Sequence, residues 1–133
     1  MANKQHRTQY QLASVMNLPF QNDIFDGVIS ASLINIVADQ NKAIAEMLRV
    51  CKPGGLIAFL VPTMGFDEAQ LDGLVGSTGI SGFAAAGLRA WHKLAPKMHT
   101  EQAKSLFQQA DLEPATINYH LQGMVFSLAA RKR

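Results

Sequence analysis

Residues 18–63 read LPFQNDIFDGVISASLINIVADQNKAIAEMLRVCKPGGLIAFLVPT, and this stretch decides the fold. Residues 26–31 form an apolar run with no polar alternation, the pattern of a parallel strand buried under helices on both faces. Asp39 is placed to cap a helix. Behind it Ile44, Met47, Leu48 and Cys51 recur at three- and four-residue spacing, while Lys42, Glu46 and Arg49 take other faces. Lys52-Pro53-Gly54-Gly55 ends that helix, because proline presets a turn and glycine accepts the positive φ that a type II turn requires. Residues 56–61, LIAFLV, are a second short apolar run closed by Pro62, which predicts another strand. Strand, helix and strand in this order predict a right-handed crossover and an α/β fold.

Working outward, residues 9–15 alternate Tyr10, Leu12 and Ser14 against Gln11 and Ala13, which predicts a short strand. Residues 17–26 contain the turn formers Pro19, Asn22 and Asp23. On the far side, residues 64–98 are a glycine-rich, lid-like excursion from the sheet, with helical stretches over 67–75 and 83–94. A further helix starts at Thr100, its predicted cap, and lines one face with Ala103, Leu106, Phe107 and Ala110. Residues 115–120 and 124–130 read as two strands, and the short link Leu121-Gln122-Gly123 makes them an antiparallel hairpin.

The chain has 133 residues, 48% of them apolar, enough for the core of one domain without metals or disulfides. A formal charge of +2 is spread along it, and the cluster Arg131, Lys132 and Arg133 is too short to indicate nucleic acid; it reads as a solvated terminus. Cys51 is the sole cysteine, so it forms no internal disulfide and completes no zinc knuckle, as expected of a cytoplasmic protein. The first residues are polar, and no run approaches the roughly 20 apolar residues of a membrane span. The expectation is a cytoplasmic protein with neither nucleic-acid nor membrane partner.

Reactive side chains are few. His6, His92, His99 and His120 show no metal-ligand spacing, and no nucleophile has an adjacent base. Trp91 reads as packing, and Cys51 as a buried, unreactive thiol on the apolar helix face. The nearest approach to a glycine-rich cofactor loop is Gly76-Ser77-Thr78-Gly79-Ile80-Ser81-Gly82. Its glycines fall at the wrong spacing and no strand directly precedes it, so it reads as a flexible loop or lid.

The motifs Leu18-Pro19-Phe20, Phe25-Asp26, Glu46, Arg49 and Lys52-Pro53-Gly54-Gly55, followed by a helix and closing hairpin, resemble the carboxyl-terminal part of class I S-adenosylmethionine-dependent methyltransferases. The resemblance covers residues 10–131, more loosely over 64–98. It implies a Rossmann-like sheet of order three-two-one-four-five-seven-six, mostly parallel with an antiparallel hairpin at the end and helices packed on it. Strand three would fall at residues 9–14, four at 26–31 and five at 56–61. Strands one and two, the glycine-rich loop and the acidic residue for the ribose hydroxyls have no counterpart in the sequence.

Carried over by position, Ser14, Val15 and Met16 would flank the adenine of S-adenosylmethionine, and Ser30, Ala31, Ser32 and Leu33 would lie near the methyl donor. Plain packing serves Val15, Ala31 and Leu33 equally well. Ser14 stands where relatives often place an aspartate, and a serine lacks its charge-assisted hydrogen bond. Asp26, Glu46 and Arg49 read as structural. The implied protein is a truncated single domain, a methyltransferase by ancestry that neither binds cofactor nor catalyses alone. The other reading is a noncatalytic homo-oligomeric assembly or small-ligand-binding module. The fourth strand would present an open edge, so a homodimer or higher oligomer is expected, through exposed strand edges or exchanged amino-terminal segments.

Overall fold

The computed structural model describes residues 7–112 and 116–133, so His6 and Ala115, named above, lie outside the described residues. The deciding stretch folds as strand, helix and strand in the order read, but the helix ends at Val50, and Cys51 and Lys52-Pro53-Gly54-Gly55, expected on the helix face and in a turn, belong to the second strand because the chain passes from the helix directly into extended backbone. Strand β1 (Phe25–Ala31) leads to helix α1 (Gln40–Val50), whose cap Asp39 accepts a hydrogen bond from the Lys42 amide, and then to strand β2 (Cys51–Pro62). Strands β1 and β2 pair in parallel. Helices α2 (Glu68–Thr78), α3 (Gly82–Leu94) and α4 (Thr100–Gln109) follow. Strand β3 (Thr116–His120), a 3-10 turn over Leu121–Gly123 and strand β4 (Val125–Arg131) close the chain as an antiparallel hairpin.

The sheet order is β1-β2-β4-β3, the four-five-seven-six half of the implied sheet. Ile57, Phe59 and Val61 of β2 and Phe126, Leu128 and Ala130 of β4 turn one face onto Ala43, Ile44 and Met47 of α1 and Ala103, Leu106 and Phe107 of α4. A second, smaller cluster of Phe66, Leu71, Leu74, Met124 and Val125 is covered by Leu88 and Trp91 of α3, so Trp91 packs as expected.

Four further expectations are corrected. The strand at residues 9–15 does not form. Residues 7–13 are exposed and have no ladder partner, and only Ser14 and Asn17 make an isolated bridge, because a strand needs a neighbour and none is beside it among the described residues. β1 is an edge strand, not a strand buried on both faces: Ile29 is 73% exposed, and Asp26, Gly27 and Ala31 are exposed too. Helix α4 is capped by neither Thr100, which is its first residue, nor the His99 side chain. Finally, Lys132 is not solvated. Its Nζ donates to Leu48 O and Cys51 O, each at 2.8 Å, and pairs with Asp23 Oδ1 at 2.7 Å, closing the carbonyl end of α1. Lys132→Met keeps the stem and strips three acceptors of their donor. It should cost about 2 kcal/mol in urea unfolding, as charged hydrogen bonds of this kind do.

The motif residues Glu46 and Arg49 form a clamp. Arg49 donates to both carboxylate oxygens of Glu46, at 2.7 and 3.0 Å, and to Leu18 O and Phe20 O at 2.9 and 2.7 Å; Glu46 Oε2 also accepts the Leu18 amide at 2.7 Å. The Arg49 guanidinium, with help from the Leu18 amide, holds the Glu46 carboxyl below its ordinary 4.5. A depressed folded pKa means stabilisation that is complete above the unfolded value and lost as pH falls through the folded one. Urea midpoints for the wild type and Glu46→Gln should therefore differ most near neutrality and converge as pH drops below the ordinary glutamate range.

Candidate functional site

Three elements meet at a cleft of about 350 Å³ beside β1. Val28, Ile29, Ser30 and Ala31 come from β1, Leu33 from the turn after it, and Met47 from α1; Gln11, Ala13, Val15, Leu18 and Phe20 come from the segment before β1. The Glu46–Arg49 clamp fixes that segment at Leu18 and Phe20, and Phe20 meets Phe25 edge to face with centroids 5.0 Å apart. The cleft is an apolar slot along the open side of an edge strand.

Of the residues carried over from the resemblance, Val15, Ser30, Ala31 and Leu33 are brought together in this lining, and Ser14, Met16 and Ser32 are not among its residues. The Ser14 hydroxyl accepts the Met16 amide at 3.1 Å in an exposed turn, and Met16 packs against the main core. Ser32 takes a left-handed backbone (φ 54) as the chain leaves β1, its amide held by Leu60 O at 2.8 Å. Ser30 is 8% exposed, and its Oγ is buried with no hydrogen-bond partner. Asn35 beyond it donates to Pro96 O at 2.9 Å, while its Oδ1 is likewise buried and unpartnered. Leu18, Phe20, Val28, Ile29, Met47, Gln11 and Ala13 also line the cleft, and sequence reasoning did not assign them there. Leu18 and Phe20 belong to the Leu18-Pro19-Phe20 motif, which is the signal the sequence carries for them.

The Gly76 to Gly82 segment is no cradle: Gly76 lies inside α2, Gly79 is its left-handed C-cap and Gly82 opens α3. The histidines stand apart. His92 Nε2 is 2.7 Å from Phe66 O, and His120 Nε2 is 2.8 Å from Ser127 Oγ; among the described residues no group of three potential metal ligands gathers. Cys51 is buried, and burial pushes its thiol above the usual range. A larger open groove of about 710 Å³ between α1 and α4 holds two cations, Arg49 and Lys132, both already bonded to carboxylates and carbonyls.

S-adenosylmethionine tests this lining. Its adenine would suit the apolar wall, but its ribose hydroxyls, ammonium, carboxylate and sulfonium need polar or charged partners when removed from water. Among the described residues no charged side chain lines the cleft. The described residues therefore match one end of the cofactor and do not fit the whole of it.

Comparison with known proteins agrees with the geometry. A methyltransferase-domain family model matches residues 1–59. An uncharacterised protein of Mycobacterium bovis is 46% identical over 52 residues, 39% of this chain and 19% of the relative. A ubiquinone/menaquinone biosynthesis C-methyltransferase of Geotalea daltonii is 39% identical over 54 residues, 41% of this chain and 23% of the relative. The chain thus spans about a fifth of the length of these curated relatives. Among solved structures, a SAM-dependent methyltransferase of Thermotoga maritima superposes with a TM-score of 0.61 at 19% identity, covering 91% of this chain and 62% of that one. Residues 1–59 thus match a methyltransferase-domain model, and the sheet order and fold are similar to those of S-adenosylmethionine-dependent methyltransferases.

Proposed function

We propose that this chain forms one wall of a methyltransferase cofactor cleft and that, as an isolated monomer, it neither binds S-adenosylmethionine nor transfers its methyl group. The observation that carries the reading is the cleft beside β1: Val15, Ser30, Ala31 and Leu33 line it, yet among the described residues no charged group does. Among the described residues no strand runs into a glycine-rich loop of the family's spacing. Activity then depends on a complementary wall from another segment or another molecule. Titration calorimetry of the chain with S-adenosylmethionine and S-adenosylhomocysteine should give no saturable heat. A micromolar dissociation constant for a monomer would overturn the reading.

A second reading is favoured by the exposed edge of β1: a noncatalytic assembly or small-ligand module built on the same scaffold. Its lining suits a small apolar ligand. Both readings include a homodimer or higher homo-oligomer, formed through the exposed strand edge or by segment exchange. Both also include a cytoplasmic setting without nucleic-acid or membrane partners; the single cysteine is buried and free, and among the described residues no helix is long and apolar enough to cross a membrane.

A further inference from the structure

Two segments of this chain have strand character and no strand neighbour on their open side. β1 is bonded to β2 along one edge only. Residues 7–13 alternate like a strand but make no ladder, leaving Tyr10 and Leu12 94% and 101% exposed. Unpaired edges attract extended chain, and an arm with two bare apolar side chains gains by covering them.

We infer that residues 7–13 of a second copy pair in parallel with the open edge of β1, Arg7 beside Asp26, Tyr10 beside Ile29 and Leu12 beside Ala31. This contact rests on the homo-oligomer proposed above and specifies it. The register follows from three matches. Tyr10 and Leu12 fall on the face where Ile29 is 73% exposed and Ala31 is also exposed. Arg7 falls beside the Asp26 carboxylate, which is 94% exposed and so can take a second cation beside Lys52. Gln11 falls beside Ser30, whose buried hydroxyl has no partner among the described residues. An antiparallel arm that keeps Tyr10 and Leu12 against Ile29 and Ala31 sets Asp26 opposite Val15 and leaves Arg7 without an anion. Charge complementarity therefore selects the parallel arrangement.

The partner is a second copy because the connection within one chain is too short to lay the arm in parallel along its own β1. Parallel neighbours need a crossover of about a dozen residues or more. Only residues 14–24 separate the two segments, and Leu18 and Phe20 are clamped to α1 by Glu46 and Arg49. Mutual exchange of arms about a two-fold axis makes the contact twice.

The test mixes a Tyr10→Cys chain with an Ile29→Cys chain and treats them with a short bis-maleimide. Neither single variant can link within itself through the new thiols, and the native Cys51 is buried. A covalent two-chain species at least tenfold more abundant in the mixture than with either chain alone is expected. In the unlinked protein, Arg7→Asp should weaken the dimer about tenfold by light scattering, and adding Asp26→Arg should restore it. A chain that stays monomeric at high concentration overturns the inference, as does a dimer that survives Ile29→Lys combined with Leu12→Ser. A null result here leaves the calorimetric test of the cofactor cleft standing on its own.

Discussion

Replacing Phe107 by alanine should cost about 3–5 kcal/mol, the range for deleting a fully buried aromatic side chain. Phe107 is 0% exposed, and its ring meets Phe59 of β2 edge to face, centroids 5.4 Å apart and planes at 82°. It is the largest of the three buried side chains that α4 offers the sheet; Ala103 and Leu106 are the others. The loss therefore combines transferred apolar area, a cavity between helix and sheet, and the aromatic pair itself. Against a typical total of about 5–15 kcal/mol, one substitution would remove a large share of the stability. Urea unfolding followed by circular dichroism reads it directly. Phe107→Leu, which keeps most of the volume, should cost roughly 1–1.5 kcal/mol. Equal, small losses from both variants would mean that α4 is not docked on this face.

The elements that were legible in the sequence are those whose signals are local. The apolar period of α1, its Asp39 cap and the two apolar strand runs each need only a dozen neighbouring residues to be read, and each forms where expected. The box at Asp67 and Gln70, in which each side chain bonds the other's amide, is equally local and is present in α2, although the sequence reading gave only a helical stretch there. What failed depends on partners distant in the chain. An apolar run states that a face wants covering but not what covers it, so β1 reads as buried and folds as an edge. Residues 7–13 carry the alternation of a strand without a neighbour to make one. Lys132 reads as a solvated tail because its carbonyl acceptors, Leu48 and Cys51, lie more than eighty residues back. The same limit applies to the cleft. Val15 and Leu33 could be assigned by position in a motif, whereas Met47 reaches the lining only because α1 packs behind β1.

Gly55→Ala should cost about 3 kcal/mol, at the upper end of overpacking penalties. A Cβ at this position would sit 2.5 Å from Cys51 Sγ, 2.7 Å from Asp26 O and 2.8 Å from Lys52 O. The sulfur can rotate aside, but the two backbone carbonyls cannot. The strain falls where the ladder steps from Phe25 opposite Cys51 to Gly27 opposite Leu56, an irregularity that absorbs Lys52, Pro53, Gly54 and Gly55 into β2. Gly55 O also accepts the Lys132 amide at 2.9 Å, so displacement there loosens the tail that closes α1. Gly54 supplies the contrast. Its φ of 80° penalises any side chain, yet nothing lies within 4 Å of its Cβ position, so Gly54→Ala should cost only about 1–2 kcal/mol of left-handed strain. The chain's one cysteine gives a second readout. Cys51 is buried with its pKa raised by that burial, so it should resist thiol reagents in the native protein and label at least tenfold faster in Gly55→Ala. Unchanged labelling together with a smaller loss than Gly54→Ala would show that close approach at Gly55 does not hold β1, α1 and the tail together.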